Sequence, residues 1–161
     1  MKVKLLLTIV VLCSSISILQ AKDKESALRY DIECAGQEGM TGTYLVMAWV
    51  YSPKANVSTD IIKEAAIRGV LFRGYQGTGC VSQKAMIKDA GTENDKADFF
   101  NVFFGKGGQF LNYATALEDS FEVIKLSKKE YKVGMIVSVS KDNLRKAMED
   151  ADVIKKLSSG F

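Results

Sequence analysis

Tyr131-Lys132-Val133-Gly134-Met135-Ile136-Val137-Ser138-Val139-Ser140 decides the fold. Tyr131, Val133, Met135, Val137 and Val139 fall on one side of an extended chain, and Lys132, Gly134, Ile136, Ser138 and Ser140 on the other. An unbroken period of two is the signature of a strand with one buried face. Immediately before it, Phe121–Leu126 reads as a strand and Ser127–Glu130 as a polar turn. After it, Leu144, Ala147, Met148, Ala151 and Ile154 recur every three or four residues, with Lys141, Arg145, Lys146 and Glu149 between them. That is a surface helix capped by Ser140 and docked by one stripe.

Towards the N-terminus, Leu28, Tyr30, Ile32 and Cys34 alternate with Arg29, Asp31 and Glu33, a half-buried strand. The loop Gly36–Gly42 leads into Thr43–Tyr51, an apolar strand covered on both faces, and the two strands read as a hairpin at one side of an antiparallel sheet. Pro53 closes that strand, and Ser58 or Thr59 caps a helix with Asp60 in its first turn. Ile62, Ala65, Ala66, Gly69 and Phe72 form its stripe, small enough to lie close to a sheet, and Gly74 is its stop. A second helix, capped by Asn94 or Asp95, runs to about Phe104, with Phe99, Phe100, Phe103 and Phe104 on one broad face. Those rings suit core packing first and a partner contact patch second. Phe110–Leu117 reads equally as a strand or a short helix. The whole is an α+β domain, a mainly antiparallel sheet with about three helices packed on one face.

The first residues are a different kind of segment. Lys2 and Lys4 precede an apolar run, Leu5–Leu12, then a looser stretch to Leu19; Gln20-Ala21 ends it, and charges begin at Lys22. That layout is a secretory signal peptide over residues 1–21, with cleavage after Ala21. The apolar stretch is about 15 residues, short of the ~20 of a bilayer span. The rival reading is cleavage before Cys13 and lipid attachment there, the one route by which the chain would reach a membrane. Leu12 is too large for the position before such a cysteine. Residues 22–161 remain as a single exported domain of the periplasm or cell surface.

Export changes the charge and cysteine arithmetic. Of 22 basic residues, two lie in the leader, leaving 20 against 19 acidic ones and a net charge of +1. Nothing there favours nucleic acid. Of three cysteines, Cys34 and Cys80 stay with the domain, and in an oxidising compartment an even pair reads as a disulfide; the alternative is two buried thiols.

The chain has no histidine, which excludes Ser-His-Asp and Cys-His catalysis as usually built and removes the commonest zinc ligand. Gly74-Tyr75-Gln76-Gly77-Thr78-Gly79-Cys80 is glycine-rich, but phosphate cradles follow a strand and open a helix, and this run follows a helix; it turns the chain and places Cys80. The acidic stretch Asp89–Asp98 lacks the spacing of a helix-loop-helix calcium loop. Asp31 and Glu33 share one strand face and are the carboxylates an enzyme would have to use, although outward charges on a strand are ordinarily just solvated. The terminal Phe161 follows no alternating strand of the outer-membrane kind. No cofactor or metal is expected.

Gly69-Val70-Leu71-Phe72-Arg73-Gly74, Phe99–Phe104 with Gly107-Gly108, Tyr131–Gly134, Leu144-Arg145 and Ser158–Phe161 resemble a family of secreted proteins of unknown function from Bacteroidetes. The resemblance implies an envelope setting and no activity. The layout is also similar, in topology alone, to small α+β domains of envelope-assembly lipoproteins such as flagellar and curli accessory proteins. The residues therefore lead to a non-enzymatic domain that binds an envelope protein. The alternative is a small-ligand domain, for a glycan or lipid, with a pocket lined by Trp49, Tyr51, Tyr75, Phe99 and Phe103.

Overall fold

A computed structural model describes residues 28–36, 41–77 and 80–156. The expected signal peptide with Cys13, and the terminal Phe161, lie outside the described residues.

The alternating stretch is the centre of the sheet. It forms β7 (Glu130–Ser140), and its neighbour on one side is the apolar strand β2 (Thr43–Ser52). The two pair antiparallel over the whole length of β2, from Thr43 opposite Ser140 to Ser52 opposite Tyr131. β1 (Tyr30–Cys34) pairs antiparallel with β2 and forms that edge, as the hairpin reading requires. The other side of β7 is shared. β6 (Glu122–Ser127) pairs with its first half, and β5 (Ala114–Ala116) with Val137–Val139. Between them the chain leaves the ladder, and Ile136 is satisfied differently. Its carbonyl accepts from the Leu117 N–H (2.8 Å), and its own N–H donates to Ser120 Oγ (2.8 Å). A short second hairpin joins β3 (Gly74–Tyr75) to β4 (Gln83–Lys84).

One face of the five-stranded sheet presents Val46, Ala48, Val50, Val133, Met135, Val137 and Val139, all buried in a single apolar cluster. The helices close over it. α1 (Thr59–Phe72) starts at Ser58, whose side chain accepts from the Asp60 N–H, and buries Ile62, Ala65, Ala66, Gly69 and Val70. At Gly69 helix and sheet come close. A Cβ placed there would sit 2.7 Å from both Cγ1 and Cγ2 of Ile32. The helix ends at Arg73, and Gly74 follows in the left-handed region at φ 72°. α4 (Lys141–Asp150) adds Leu144 and Met148 to the cluster. Ser140 stands at its N-cap but makes no capping bond to the backbone; its hydroxyl accepts instead from Asn143 Nδ2.

Two stretches sharpen the sequence expectation. The second helix, expected to be capped by Asn94 or Asp95, starts one residue later: Lys96 stands at its N-cap, and Asn94 and Asp95 belong to a separate short helix. α2 (Thr92–Asp95) and α3 (Ala97–Phe103) meet at Lys96, where φ −111° and ψ 30° leave the helical range. α2 is tied to α1 by Glu93 and Arg68, and α3 by the rings of Phe100 and Phe72, so each half follows its own anchor. Phe110–Leu117 resolves its ambiguity by being both: a 3-10 turn over Gln109–Tyr113, then β5.

Met47 and Trp49 are buried outside the main cluster, on the opposite face of the sheet. The Trp49 indole lies across its ladder partner Gly134, with Lys132 Nζ 4.7 Å from its ring centroid. A Cβ at Gly134 would come within 2.8 Å of Cδ2 and Cζ3 of that ring, and an indole cannot fold away as an alkyl chain can. Gly134→Val is therefore expected to destabilise the domain by about 1–3 kcal/mol, read as a lower midpoint in urea denaturation; an unchanged midpoint would show that the indole has room to move.

Candidate functional site

A cleft of about 1090 Å³ runs along α1. It lies between that helix, the start of β1, the end of β2, and the segment from Ala85 to Lys106. The segment is held where the helix needs it. In the last turn of α1 the carbonyls have no intrahelical donor. Met86 donates its N–H to the Val70 carbonyl (3.1 Å), and Ile87 to that of Leu71 (2.8 Å). Those bonds bring the chain back across the helix end and set Ile87, Lys88 and Asp89 along the cleft.

The floor is aromatic. Phe72 meets Phe100 edge-on with centroids 5.2 Å apart, Phe100 and Phe104 stack at 6.0 Å, and Tyr30 adds a fourth ring. Two arginines stand over it in different states. Arg68 is neutralised: Nε is 2.7 Å from Glu64 Oε1, Nη1 is 2.6 Å from Glu93 Oε1, and the guanidinium carbon sits 3.9 Å from the Phe104 centroid. Arg73 donates from Nη1 to the Tyr30 carbonyl (2.6 Å) and rests 4.0 Å above the Tyr30 ring. No carboxylate among the described residues pairs with it, nor with Lys88 or Lys106 in the same lining. Asp89 accepts from the Gly91 N–H (2.9 Å). Burial pushes the Tyr30 phenol above its ordinary pKa, with Arg73 pulling the other way, so it stays a neutral hydroxyl at physiological pH.

Of the five aromatic residues expected to share a pocket, one lines this cleft, Tyr51. Its hydroxyl donates to Asp31 Oδ2 (2.6 Å), and that bond is the main reason its pKa is raised. Trp49 is on the far face of the sheet. Tyr75 is buried edge-on against Tyr44 at 5.5 Å, and burial takes its phenol up to about 12. Phe99 and Phe103 stack on each other at 5.4 Å and belong to the ring cluster that supports Phe100 and Phe104. Asp31 and Glu33 are engaged outside the cleft, Asp31 with Tyr51 and Glu33 with Lys132. Among the described residues, no three Asp, Glu or Cys side chains come together as a metal group would need.

Cys34 and Cys80 form a disulfide, with Cα atoms 6.3 Å apart, tying the end of β1 to the glycine-rich turn after β3. Such a bond fits an oxidising, extracytoplasmic setting. No helix among the described residues is long and apolar enough to cross a membrane.

A second surface is the outer edge of the sheet. All six residues of β6 are exposed, Val123, Ile124 and Leu126 among them, and Phe121 just before it is 44% exposed. β6 pairs with β7 on one side and with no described strand on the other.

No family model, curated protein or solved structure matches the chain.

Proposed function

We propose that the chain is an exported, non-enzymatic envelope domain that binds a partner protein by pairing an extended segment of that partner with the free edge of β6. The observation that carries this reading is the exposure of β6 itself. An edge strand offers a row of unpaired N–H and C=O groups, and natural proteins ordinarily blunt such edges with charges, proline or a cover. Here the edge keeps Phe121, Val123, Ile124 and Leu126 in solvent, with Glu122 and Lys125 as the charges between them. Strand addition uses this arrangement: main-chain bonds supply affinity, and alternate side chains supply specificity. The leader and the disulfide support the envelope as the place where the partner is met.

The test is a photo-crosslinking residue at position 124 in the native host, with one at the exposed Val81 as control. A defined envelope protein should be captured from position 124 and lost in a Val123→Lys/Ile124→Lys double variant. The same variant should lose no more than about 1 kcal/mol of stability, because both side chains are exposed on the edge strand rather than packed in the core. No capture above the control, or undiminished capture with the double variant, would overturn the reading. Mass spectrometry of the recovered domain should find an N-terminus at Lys22; lipid on Cys13 would instead place the domain on a membrane.

A further inference from the structure

We propose that a second copy of the chain covers the β6 edge whenever no partner strand occupies it, the two β6 strands pairing antiparallel about a two-fold axis at Ile124. This rests on the reading of β6 as a pairing edge and names what controls access to it.

The free groups of the edge follow from the ladder. Ile136 turns its N–H and C=O toward the β5 and β6 side of β7. Alternate residues of a strand face the same neighbour, so Gly134 and Lys132 do likewise. Their ladder partners are Glu122 and Ile124, whose backbone groups are thereby used. Val123 and Lys125 are left with N–H and C=O directed away from the sheet. Both precede the register shift between Lys125 and Ser127, so this stretch of the edge is regular. In an antiparallel pair, the residues that exchange hydrogen bonds stand opposite each other. A two-fold axis at Ile124 meets that condition: Val123 of each copy faces Lys125 of the other, and Ile124 faces Ile124.

The charges select a second copy. The edge is acidic where it begins, at Glu118, Asp119 and Glu122, and basic where it ends, at Lys125, Lys128 and Lys129. All six residues are exposed, and none of them is in an ion pair among the described residues. The two-fold axis reverses one strand against the other, so the acidic end of each copy meets the basic end of its partner. Such a self-complementary patch is what an isologous interface requires. Opposite charges across paired strands are favourable and like charges are not, so parallel pairing, acid on acid and lysine on lysine, is disfavoured. At the centre Ile124, 45% exposed in the single chain, gains its own copy as an apolar neighbour. Each copy then hides the other's edge, and a partner strand reaches β6 only as the dimer opens.

Sedimentation equilibrium of the purified protein at neutral pH and low salt, over about 1–300 μM, should show a monomer–dimer equilibrium. Glu118→Lys/Asp119→Lys/Glu122→Lys and Lys125→Glu/Lys128→Glu/Lys129→Glu should each self-associate at least about tenfold more weakly, and an equimolar mixture of the two should regain the wild-type affinity. Ile124→Cys should link into a covalent dimer on mild oxidation with diamide, because facing residues of a non-hydrogen-bonded pair have Cα atoms about 4.5 Å apart, within disulfide reach. Leu126→Cys, which the axis sets well apart from its copy, should not link. The proposal is overturned by a protein that stays monomeric throughout, by charge variants that dimerise as the wild type does, or by equal linking at 124 and 126. A monomer that is still crosslinked from position 124 to an envelope protein in the host would remove the second copy and leave β6 as a docking edge; a monomer with no such capture would remove both. Should a charge variant not fold, the two single cysteine variants decide.

Discussion

Replacing Cys34 and Cys80 together with serine is expected to lower stability by about 4 kcal/mol. The bond closes a loop of 46 positions, and in the chain-entropy account the unfolded chain gains most of its freedom back when such a loop is opened. Against the roughly 5–15 kcal/mol typical of a whole domain, that is a substantial fraction. The geometry adds a local reason. β1 is an edge strand of five residues with a single ladder neighbour, β2. Its far end is held by the disulfide, and its near end carries Tyr30, whose carbonyl and ring seat Arg73. Freed of the bond, β1 should fray first, and the cleft should lose a wall with it. Urea denaturation with and without reductant checks this: the reduced wild type and the double serine variant should share one lowered midpoint. A reductant effect below about 1 kcal/mol would show that the sheet holds β1 unaided.

Phe103→Ala should cost about 3–5 kcal/mol, while its neighbour Val102→Ala should stay within about 0.5 kcal/mol. The two residues are consecutive on α3, but Phe103 is 1% exposed and Val102 is 72% exposed. Phe103 stacks on Phe99 at 5.4 Å and on Tyr113 at 6.0 Å, and meets Phe104 edge-on at 5.0 Å. Removing it opens a cavity beside the rings of Phe99, Phe104 and Tyr113, which are too stiff to refill it. Phe104 is the ring beneath Arg68, so the loss should also disturb the Arg68 seat between Glu64 and Glu93. Chemical denaturation of the pair of variants decides whether these rings are core. Equal, small losses would mean that they are a surface cluster after all.

The fold was readable where one residue's environment repeats along the chain. β7 announces itself because each second side chain meets the same cluster, and α1 because its small residues recur where the sheet is near. Cys34 and Cys80 were readable by count. The exposure of β6 was not, because Val123 and Ile124 are adjacent: a short apolar run with no alternation looks the same whether buried on both faces or wet on both. The cleft was hidden for another reason. Arg68 finds Glu64 one helical turn away, a spacing visible in sequence, but Glu93 is 25 positions on, and Arg73 finds the Tyr30 carbonyl at a separation of 43. Which arginine is satisfied is settled by such long-range pairings. The five aromatic residues are dispersed for a similar reason, since strand alternation sends Trp49 to the face opposite the helices.

The ladder between β2 and β7 has a consequence for the order of events at the ribosome. Thr43 lies opposite Ser140, so the central pairing joins the start of the domain to nearly its end. The β6–β7 hairpin, by contrast, closes over a turn of a few residues and can form as soon as it is made. Until β7 has emerged, β2 has only the short β1 beside it, and α1 has no sheet to cover. A nascent chain of this topology stays open through most of its synthesis and closes in one late, long-range step. On the proposed export route, a chain that crossed the membrane before that step would arrive unfolded, with its cysteines still separate, in the compartment where they can be joined.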